Sequence, residues 1–493
     1  MKKSISISKQ VLFISSGKLI TVLASFILPL FLTRYLTKSD YGIYNQFSMV
    51  VSFCAMFFSF GMASNIYYFA SRIKKNQYSS LILNTHLLLF FGSLISFIFI
   101  IFPSLLSSIL GETNIFIYKK YVYLTVLVAI PITILQPLFI TRKDLNASLF
   151  FPPSEPILKV ILVLFAAILF DGLEPIIITV FLLYLFQYIF TIIYSGKLVL
   201  TSKRNIHFSL RLLKEQVKYS LPLGLASSIK VLMQSFDKLI IIGFVSASQY
   251  ATYAVAFFGI PGIVQVYGSF SQVYVIEMTK EFENYNTEKV ILLYRELISK
   301  TISFTIPIVF VVCLYSEKII TFLFTDKYLD SVPYFQIYIF TLVLQVLGNG
   351  LIIRASGKTR GSLYSYLFAA IIILPSTFFL VKYYSLYGAM FSAVLSITIP
   401  KILMTYFDLK IINSSLIRLF PIKDMCIIII IGLVALLPFH LLEASFDYEI
   451  ISTIFLGILY IFINAILQYF SGVFIFQEKI KKYFQNIKNN DLN

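Results

Sequence analysis

Ser39-Asp40-Tyr41-Gly42-Ile43-Tyr44 returns about 210 residues further on as Ser248-Gln249-Tyr250-Ala251-Thr252-Tyr253. Each hexamer sits in a short polar loop and opens the second long apolar run of its half of the chain. Two fainter echoes keep a similar offset. Lys18, in Ser15-Ser16-Gly17-Lys18, pairs with Lys230, in Ser227-Ser228-Ile229-Lys230, and Ile140-Thr141-Arg142-Lys143 occupies the place of Arg354-Ala355-Ser356-Gly357-Lys358. Six apolar runs separate the copies. An even number returns the chain to the same side of a bilayer, so the repeat is parallel, with its axis along the membrane normal.

Working outward from the hexamers, fourteen apolar runs fill the chain. They cover approximately 10–33, 43–70, 79–106, 121–140, 151–170, 175–196, 219–245, 250–276, 299–324, 333–353, 361–381, 386–408, 424–441 and 450–472. A helix needs roughly 20 apolar residues to cross about 30 Å of hydrocarbon. The runs leave no stretch for a soluble catalytic domain. A 58% hydrophobic share and a mean hydropathy of +0.87 agree with a polytopic, all-α membrane protein.

The net charge of +17 would suggest nucleic-acid binding in a soluble chain. Here its placement gives another reading. About 28 Lys and Arg residues fall in one set of alternate loops and about 7 in the other. By the positive-inside rule both termini are expected in the cytoplasm, and no nucleic-acid partner is expected. Met1 to Leu32 mimics a signal peptide, but Lys18 lies inside its apolar run and no small-x-small cleavage site precedes Arg34. It is read as a retained first helix. Cys54, Cys313 and Cys426 are far apart within apolar runs, fitting neither a disulfide framework nor a thiolate metal site. His86, His207 and His440 show no metal-ligand spacing. The chain has no phosphate-cradling G-x-x-x-x-G-K-[ST] loop and no Asp-x-Asp pair, so neither an ATPase nor a nucleotide-sugar enzyme is expected.

The expected organisation is a first six-helix lobe over 1–200, a basic amphipathic linker over 201–218 on the inner leaflet, a second six-helix lobe over 219–408, and a terminal helix pair with a cytoplasmic tail over 409–493. Ionisable residues deep in spans need a reason, since each costs about 2.5–3.5 kcal/mol on insertion scales. Lys18 and Lys230 each stand about ten residues from the cytoplasmic end of their helix, close to mid-depth at 1.5 Å per residue. They are expected to face each other across a central cavity, where two cations suit a dianionic group. Asp237 follows Lys230 by two helical turns, with Lys238 beside it. It is a candidate to pair with Lys230, to accept a coupling proton or sodium ion, or to brace the external gate. Glu155 and Lys159 are spaced for an intrahelical ion pair, and Lys159 is also a candidate ligand contact. Lys401 is expected to snorkel toward the cytoplasmic surface. Pro261-Gly262 and Gly348-Asn349-Gly350 mark places where spans bend or unwind.

Three segments carry a family resemblance. Leu32-Thr33-Arg34-Tyr35-Leu36-Thr37-Lys38-Ser39-Asp40-Tyr41-Gly42-Ile43-Tyr44 resembles the first external loop of Wzx-type polysaccharide flippases. Ser220-Leu221-Pro222-Leu223, Ser235-Phe236-Asp237-Lys238-Leu239-Ile240-Ile241-Ile242-Gly243 and Tyr250-Ala251-Thr252-Tyr253 look like the middle signature of that group. Gly357-Lys358-Thr359-Arg360 looks like its tenth-to-eleventh loop.

The resemblance implies membership of the multidrug/oligosaccharidyl-lipid/polysaccharide exporter superfamily, with a fold like that of multidrug exporters and lipid II flippases. It implies a substrate: an undecaprenyl-diphosphate-linked oligosaccharide repeat unit for O-antigen (lipopolysaccharide) or capsule, moved from the inner to the outer leaflet of a bacterial cytoplasmic membrane. A polysaccharide polymerase and a chain-length regulator are the implied partners. No cofactor is implied beyond a proton or sodium gradient. Related lipid II flippases hold the diphosphate with cavity cations on the first helices of their lobes, and Lys18 and Lys230 match those places. Lys stands here where relatives commonly have Arg, so bidentate diphosphate geometry does not carry over. The rivals are a lipid II flippase, a drug or cation antiporter with cavity carboxylates, and an O-antigen polymerase, which would carry a large external loop absent here.

Overall fold

The computed structural model describes residues 20–21, 24–70, 77–101, 117–142, 144–201, 208–260, 263–348, 350–358, 360–443 and 450–473. Among them every regular element is helical. In chain order they are α1 (Ala24–Tyr35), then α2 (Lys38–Phe57), α3 (Met62–Ala70), α4 (Tyr78–Ile101), α5 (Lys119–Ile132), α6 (Leu135–Thr141) and α7 (Leu145–Leu169). Next come α8 (Glu174–Thr201), α9 (Leu210–Ile242), α10 (Ala247–Ala256), α11 (Ile263–Glu283), α12 (Thr287–Leu314) and α13 (Ser316–Phe324). The chain closes with α14 (Val332–Gln345), α15 (Leu351–Ala355), α16 (Arg360–Ile412), α17 (Leu416–Leu419), α18 (Ile422–Glu443) and α19 (Ile450–Ser471).

Eight described helices are long and apolar enough to cross a membrane. One of these, α16, comprises two of the expected spans, because the chain reverses at Ser385, whose φ of 49° and ψ of −125° are not helical. Every one of the fourteen apolar runs overlaps a described helix or helix pair. Several runs are pairs because the rod is broken part-way. The second breaks between α2 and α3, the fourth between α5 and α6, the eighth between α10 and α11, and the tenth between α14 and α15. The break in the tenth falls at Gly348 and Gly350, whereas Pro261 and Gly262, named for the eighth, lie outside the described residues. Gly348 and Gly350 take φ of 55° and 60°, a conformation that residues with a Cβ adopt only under strain.

The hexamer repeat has a structural basis in helix capping. The Thr37 hydroxyl accepts from the Asp40 amide at 3.1 Å and donates to the Asp40 carboxylate at 2.7 Å. At the matching place Ser246 Oγ accepts from the Gln249 amide at 3.2 Å, while Gln249 Oε1 accepts from the Ser246 amide at 3.0 Å. Both helices therefore start on a side-chain cap that satisfies otherwise orphaned backbone donors. The Tyr residues behind each cap are buried: Tyr41 and Tyr44 on α2, Tyr250 and Tyr253 on α10.

The chain divides into two compact units, one of Met1–Ala254 with Ile373–Ser392, the other of Val255–Ile372 with Ala393–Asn493. This division by packing falls elsewhere than the lobe boundary drawn from the repeat, and the repeat-based lobes remain an expectation. In the first unit, α2 and α10 approach so closely that a Cβ on Gly42 would lie 1.8 Å from the Ala247 carbonyl oxygen. A second close approach brings Gly224 of α9 against Phe60, where a Cβ would lie 2.3 Å from the Phe60 carbonyl oxygen.

Two expectations are corrected here. Residues 210–218 do not form a separate surface helix. They are the first turns of the continuous 33-residue α9. Arg211, Lys214, Glu215 and Lys218 are exposed as expected, but the opposite face is claimed by protein. Leu212 is buried, and Gln216 donates to Asn65 Oδ1 at 3.1 Å and to Thr85 Oγ1 at 3.0 Å. The ninth run is also not one rod. The helix starts early, on the Asn286 cap, and ends at Leu314, after which α13 begins separately.

In the second unit the core centres on α12. Tyr294, Leu297, Ile298 and Ile302 are buried together with Leu351 and Ile352 of α15 and Ile428 of α18. The terminal pair is fastened by polar contacts as well as apolar ones. Ser303 of α12 hydrogen-bonds the Gln468 side chain of α19, the Gln468 amide donates back to the Ser303 carbonyl at 3.0 Å, and the Tyr460 hydroxyl donates to the Gly432 carbonyl at 3.0 Å.

Candidate functional site

A cavity of about 340 Å³ opens within the first unit, between α1, α2 and α7. Its polar lining comes from Thr21, just before α1, and Ser25 on it, from Tyr41, Tyr44, Asn45 and Ser48 on α2, and from Glu155 and Lys159 on α7. The helical period explains the α2 contribution, since 41, 44, 45 and 48 recur at the three- and four-residue spacing of one face. On α7 the residues Glu155 and Lys159 are one turn apart, so both reach the same hollow.

Lys159 turns toward α2. Its ammonium lies 5.7 Å from the centroid of the Tyr44 ring, within cation–π range. Tyr44, Tyr184 and Glu155 are its electrostatic neighbours. The intrahelical ion pair expected between Glu155 and Lys159 is not closed, and the two charges share the cavity wall instead. A tertiary partner, the electron-rich face of Tyr44, competes successfully with a pair worth only about 0.2–0.5 kcal/mol on an isolated helix. Asn45 holds the α2 side in place, donating from Nδ2 to the Tyr41 carbonyl at 2.8 Å. The cavity thus presents one cation, one carboxylate, hydroxyls and two aromatic rings inside an otherwise apolar wall. That mixture suits a polar, partly charged group attached to something apolar.

Asp237 makes a second polar cluster, on α9. It is 2% exposed and accepts from the Tyr253 hydroxyl at 2.7 Å and from the Lys238 ammonium at 3.1 Å. Its other carboxylate oxygen has no hydrogen-bond partner. Of the three roles open to Asp237, the pair with Lys230 is therefore not formed, and Lys238 takes that place. Lys238 also reaches the Gln234 carbonyl at 3.5 Å. Lys230 lies on α9 and is exposed. Lys18 lies outside the described residues, and so does the expected meeting of Lys18 with Lys230.

Lys401 departs from its expected role. It does not snorkel but donates to the Gln345 and Leu347 carbonyls at 3.0 and 2.7 Å. The sequence singles out Glu155 and Lys159 but not the tyrosines beside them. Their signal lies in the hexamer, whose Tyr41 and Tyr44 stand three residues apart and so share a face. Among the described residues no group of His, Cys, Asp and Glu is arranged to hold a metal ion.

Comparison with known proteins adds to this geometry. Residues 31–333 match the model of a family described as polysaccharide biosynthesis protein, which is more than half of the chain. The chain belongs to this polysaccharide biosynthesis family. A search of curated protein sequences finds no match. Among solved structures, the lipid II flippase MurJ in an inward closed conformation matches with a TM-score of 0.66 at 20% identity, over 92% of this chain and 99% of that one. An inward-facing multidrug resistance MATE family transporter of the MOP superfamily matches with a TM-score of 0.62 at 15% identity, over 84% of this chain and 96% of that one. A MOP superfamily transporter from Pyrococcus furiosus, reported with a binding pocket of reverse polarity, matches with a TM-score of 0.55 at 16% identity, over 82% of this chain and 95% of that one. These likenesses show the fold. This member of the polysaccharide biosynthesis family is an all-α, multi-pass membrane protein with the fold of flippases and transporters.

Proposed function

We propose that the chain is a flippase that moves an undecaprenyl-diphosphate-linked oligosaccharide repeat unit, for O-antigen or capsule, from the inner to the outer leaflet of a bacterial cytoplasmic membrane. The observation that carries this reading is the match to a polysaccharide biosynthesis family over 31–333, in a chain whose fold is shared with a lipid flippase. The polar cavity of the first unit supports it. At about 340 Å³ it falls in the lower part of the 300–1,000 Å³ range of small-ligand sites. It is sized for the diphosphate and the first sugar, while the polyprenyl tail stays in lipid.

In this reading Lys159 supplies positive charge to the diphosphate, with Lys230 and Lys18 as further substrate cations, and Tyr41 and Tyr44 offer ring faces to a sugar. Asp237 with Lys238, and Glu155, serve as coupling or gating groups for a proton or sodium gradient. Carrying negative charge outward is favoured by an inside-negative potential by about 2.3 kcal/mol per charge per 100 mV. Both termini face the cytoplasm, and the polymerase and chain-length regulator receive the product outside. A drug antiporter is the weaker reading, because Lys159 places an ammonium in the cavity that a cationic drug would have to enter.

The test is a leaflet-resolved measurement of lipid-linked oligosaccharide in cells lacking the protein. Completed units held on the cytoplasmic side support flipping. Completed but unpolymerised units outside would assign the polymerase step instead. Lys159→Ala, Lys230→Ala and Lys18→Ala are each expected to abolish or sharply reduce transport with membrane insertion intact. Normal transport in all three would remove the binding roles.

A further inference from the structure

Two charged side chains on one face of α16 meet the backbone at the break in the tenth span. A helix interruption leaves carbonyls without donors on one side and amides without acceptors on the other. Here the carbonyl side is met by a cation, as Lys401 Nζ donates to the Gln345 oxygen at 3.0 Å and the Leu347 oxygen at 2.7 Å. The amide side is met by an anion. Asp408 is fully buried and accepts from the Ile353 amide at 2.8 Å. Seven residues, two helical turns, separate Lys401 from Asp408, so both stand on one face. Between them, on the same face, Thr405 and Met404 touch the two glycines of the break. A Cβ on Gly348 would lie 2.7 Å from Thr405 Oγ1, and one on Gly350 would lie 3.3 Å from Met404 Sδ. The charge signs follow the helix dipole: positive at the carbonyl end of α14, negative at the amide end of α15.

We propose that Lys401 and Asp408 act together as a clamp that fixes the bend of the tenth span. The break is then a set joint whose two halves are spaced by a rigid rod, and not a melted segment. This goes beyond the proposed transport reading and does not rest on it. Lys401 and Asp408 are positioning residues, acting through the backbone of α14 and α15.

Amide hydrogen exchange on the full chain in lipid nanodiscs tests the clamp without any substrate. Asp408→Leu removes the acceptor of the Ile353 amide and is expected to speed exchange over 351–355 by about tenfold or more, as loss of one charge-assisted hydrogen bond implies. The decisive variant is Lys401→Met, because Lys401 holds carbonyls on the far side of the break from the amides whose exchange is read. Its loss is expected to speed exchange of those amides across the break. Lys401→Arg, which keeps charge and reach, is expected to restore protection. If Lys401→Met does not accumulate, Lys401→Gln, uncharged but still a donor, gives an intermediate rate on the same scale. Unchanged exchange over 351–355 in the Lys401 variants would overturn the proposal. So would an even increase across α12, α16 and α18, which would mean general loosening.

Discussion

Substituting Gly42 tests whether the seam between α2 and α10 matters to transport. An added Cβ would lie 1.8 Å from the Ala247 carbonyl oxygen, 2.5 Å from its carbon and 3.2 Å from its Cα. These are backbone atoms, with no flexible side chain to swing away. Even the tightest real contacts need a little over 3 Å, so the two helix starts must part by at least about 1.4 Å in Gly42→Ala. Overpacking of this kind costs about 1–3 kcal/mol, against which the better helix propensity of Ala returns at most about 1 kcal/mol. A net penalty of up to about 2 kcal/mol borne by the closed seam shifts a two-state equilibrium by up to about 30-fold away from it. Gly42→Val, with two more carbons, should shift it further. The assay is thiol labelling of a cysteine placed at Ala247, which is buried at the seam, in a background lacking Cys54, Cys313 and Cys426, alongside transport. Labelling should rise in the order Gly, Ala, Val while transport falls. Ala251, the repeat partner of Gly42, is already buried with a Cβ, so Ala251→Gly should leave labelling unchanged. Wild-type labelling and transport in Gly42→Val would refute the argument, since no small rearrangement could absorb a valine there.

Tyr253→Phe strips the buried Asp237 carboxylate of one donor, and should cost about 1–3 kcal/mol, read as a lower Tm in detergent; an unchanged Tm would mean water replaces the hydroxyl freely. Gln216→Leu leaves Asn65 and Thr85 without their shared partner, so a similar loss is expected, with the fall in Tm absent if the network is idle. Gln468→Leu should loosen α19 from α12, seen as faster proteolysis after α18 with the remainder of the chain intact. Lys159→Met should leave stability within about 1 kcal/mol of wild type, read as a nearly unchanged Tm, because no ion pair is broken, while transport falls at least tenfold; equal transport would make the cavity a packing fault.

Much of the architecture is legible in the amino-acid order alone, because a bilayer enforces a simple rule on each rod: apolar, about 20 residues, helical. The break at Gly348 and Gly350 is legible for a similar reason, since both take a positive φ that residues with a Cβ adopt only under strain. The cavity is half legible. Glu155 and Lys159 stand out as charges in an apolar run, but their expected pairing leaves out Tyr44, over 100 residues away in sequence. Asp408 does not stand out, because it lies at the end of its run, where a carboxylate looks solvated. Its relation to Lys401 repeats the seven-residue spacing of Lys230 and Asp237, and that pattern is the one local clue to its role. The Gly42 approach to Ala247 is a packing fact between distant segments, and no local period encodes it.

The reversal at Ser385 has a practical consequence for anyone mapping this chain. The two arms of α16 meet so directly that a Cβ on Gly388 would lie 1.9 Å from the Leu380 carbonyl oxygen. There is no flexible loop for a protease to enter, although the side chains of Lys382, Tyr383, Tyr384 and Ser385 stand exposed at the corner. An epitope or reporter spliced in at that corner would pry two neighbouring rods apart, and a silent tag there would say nothing about sidedness.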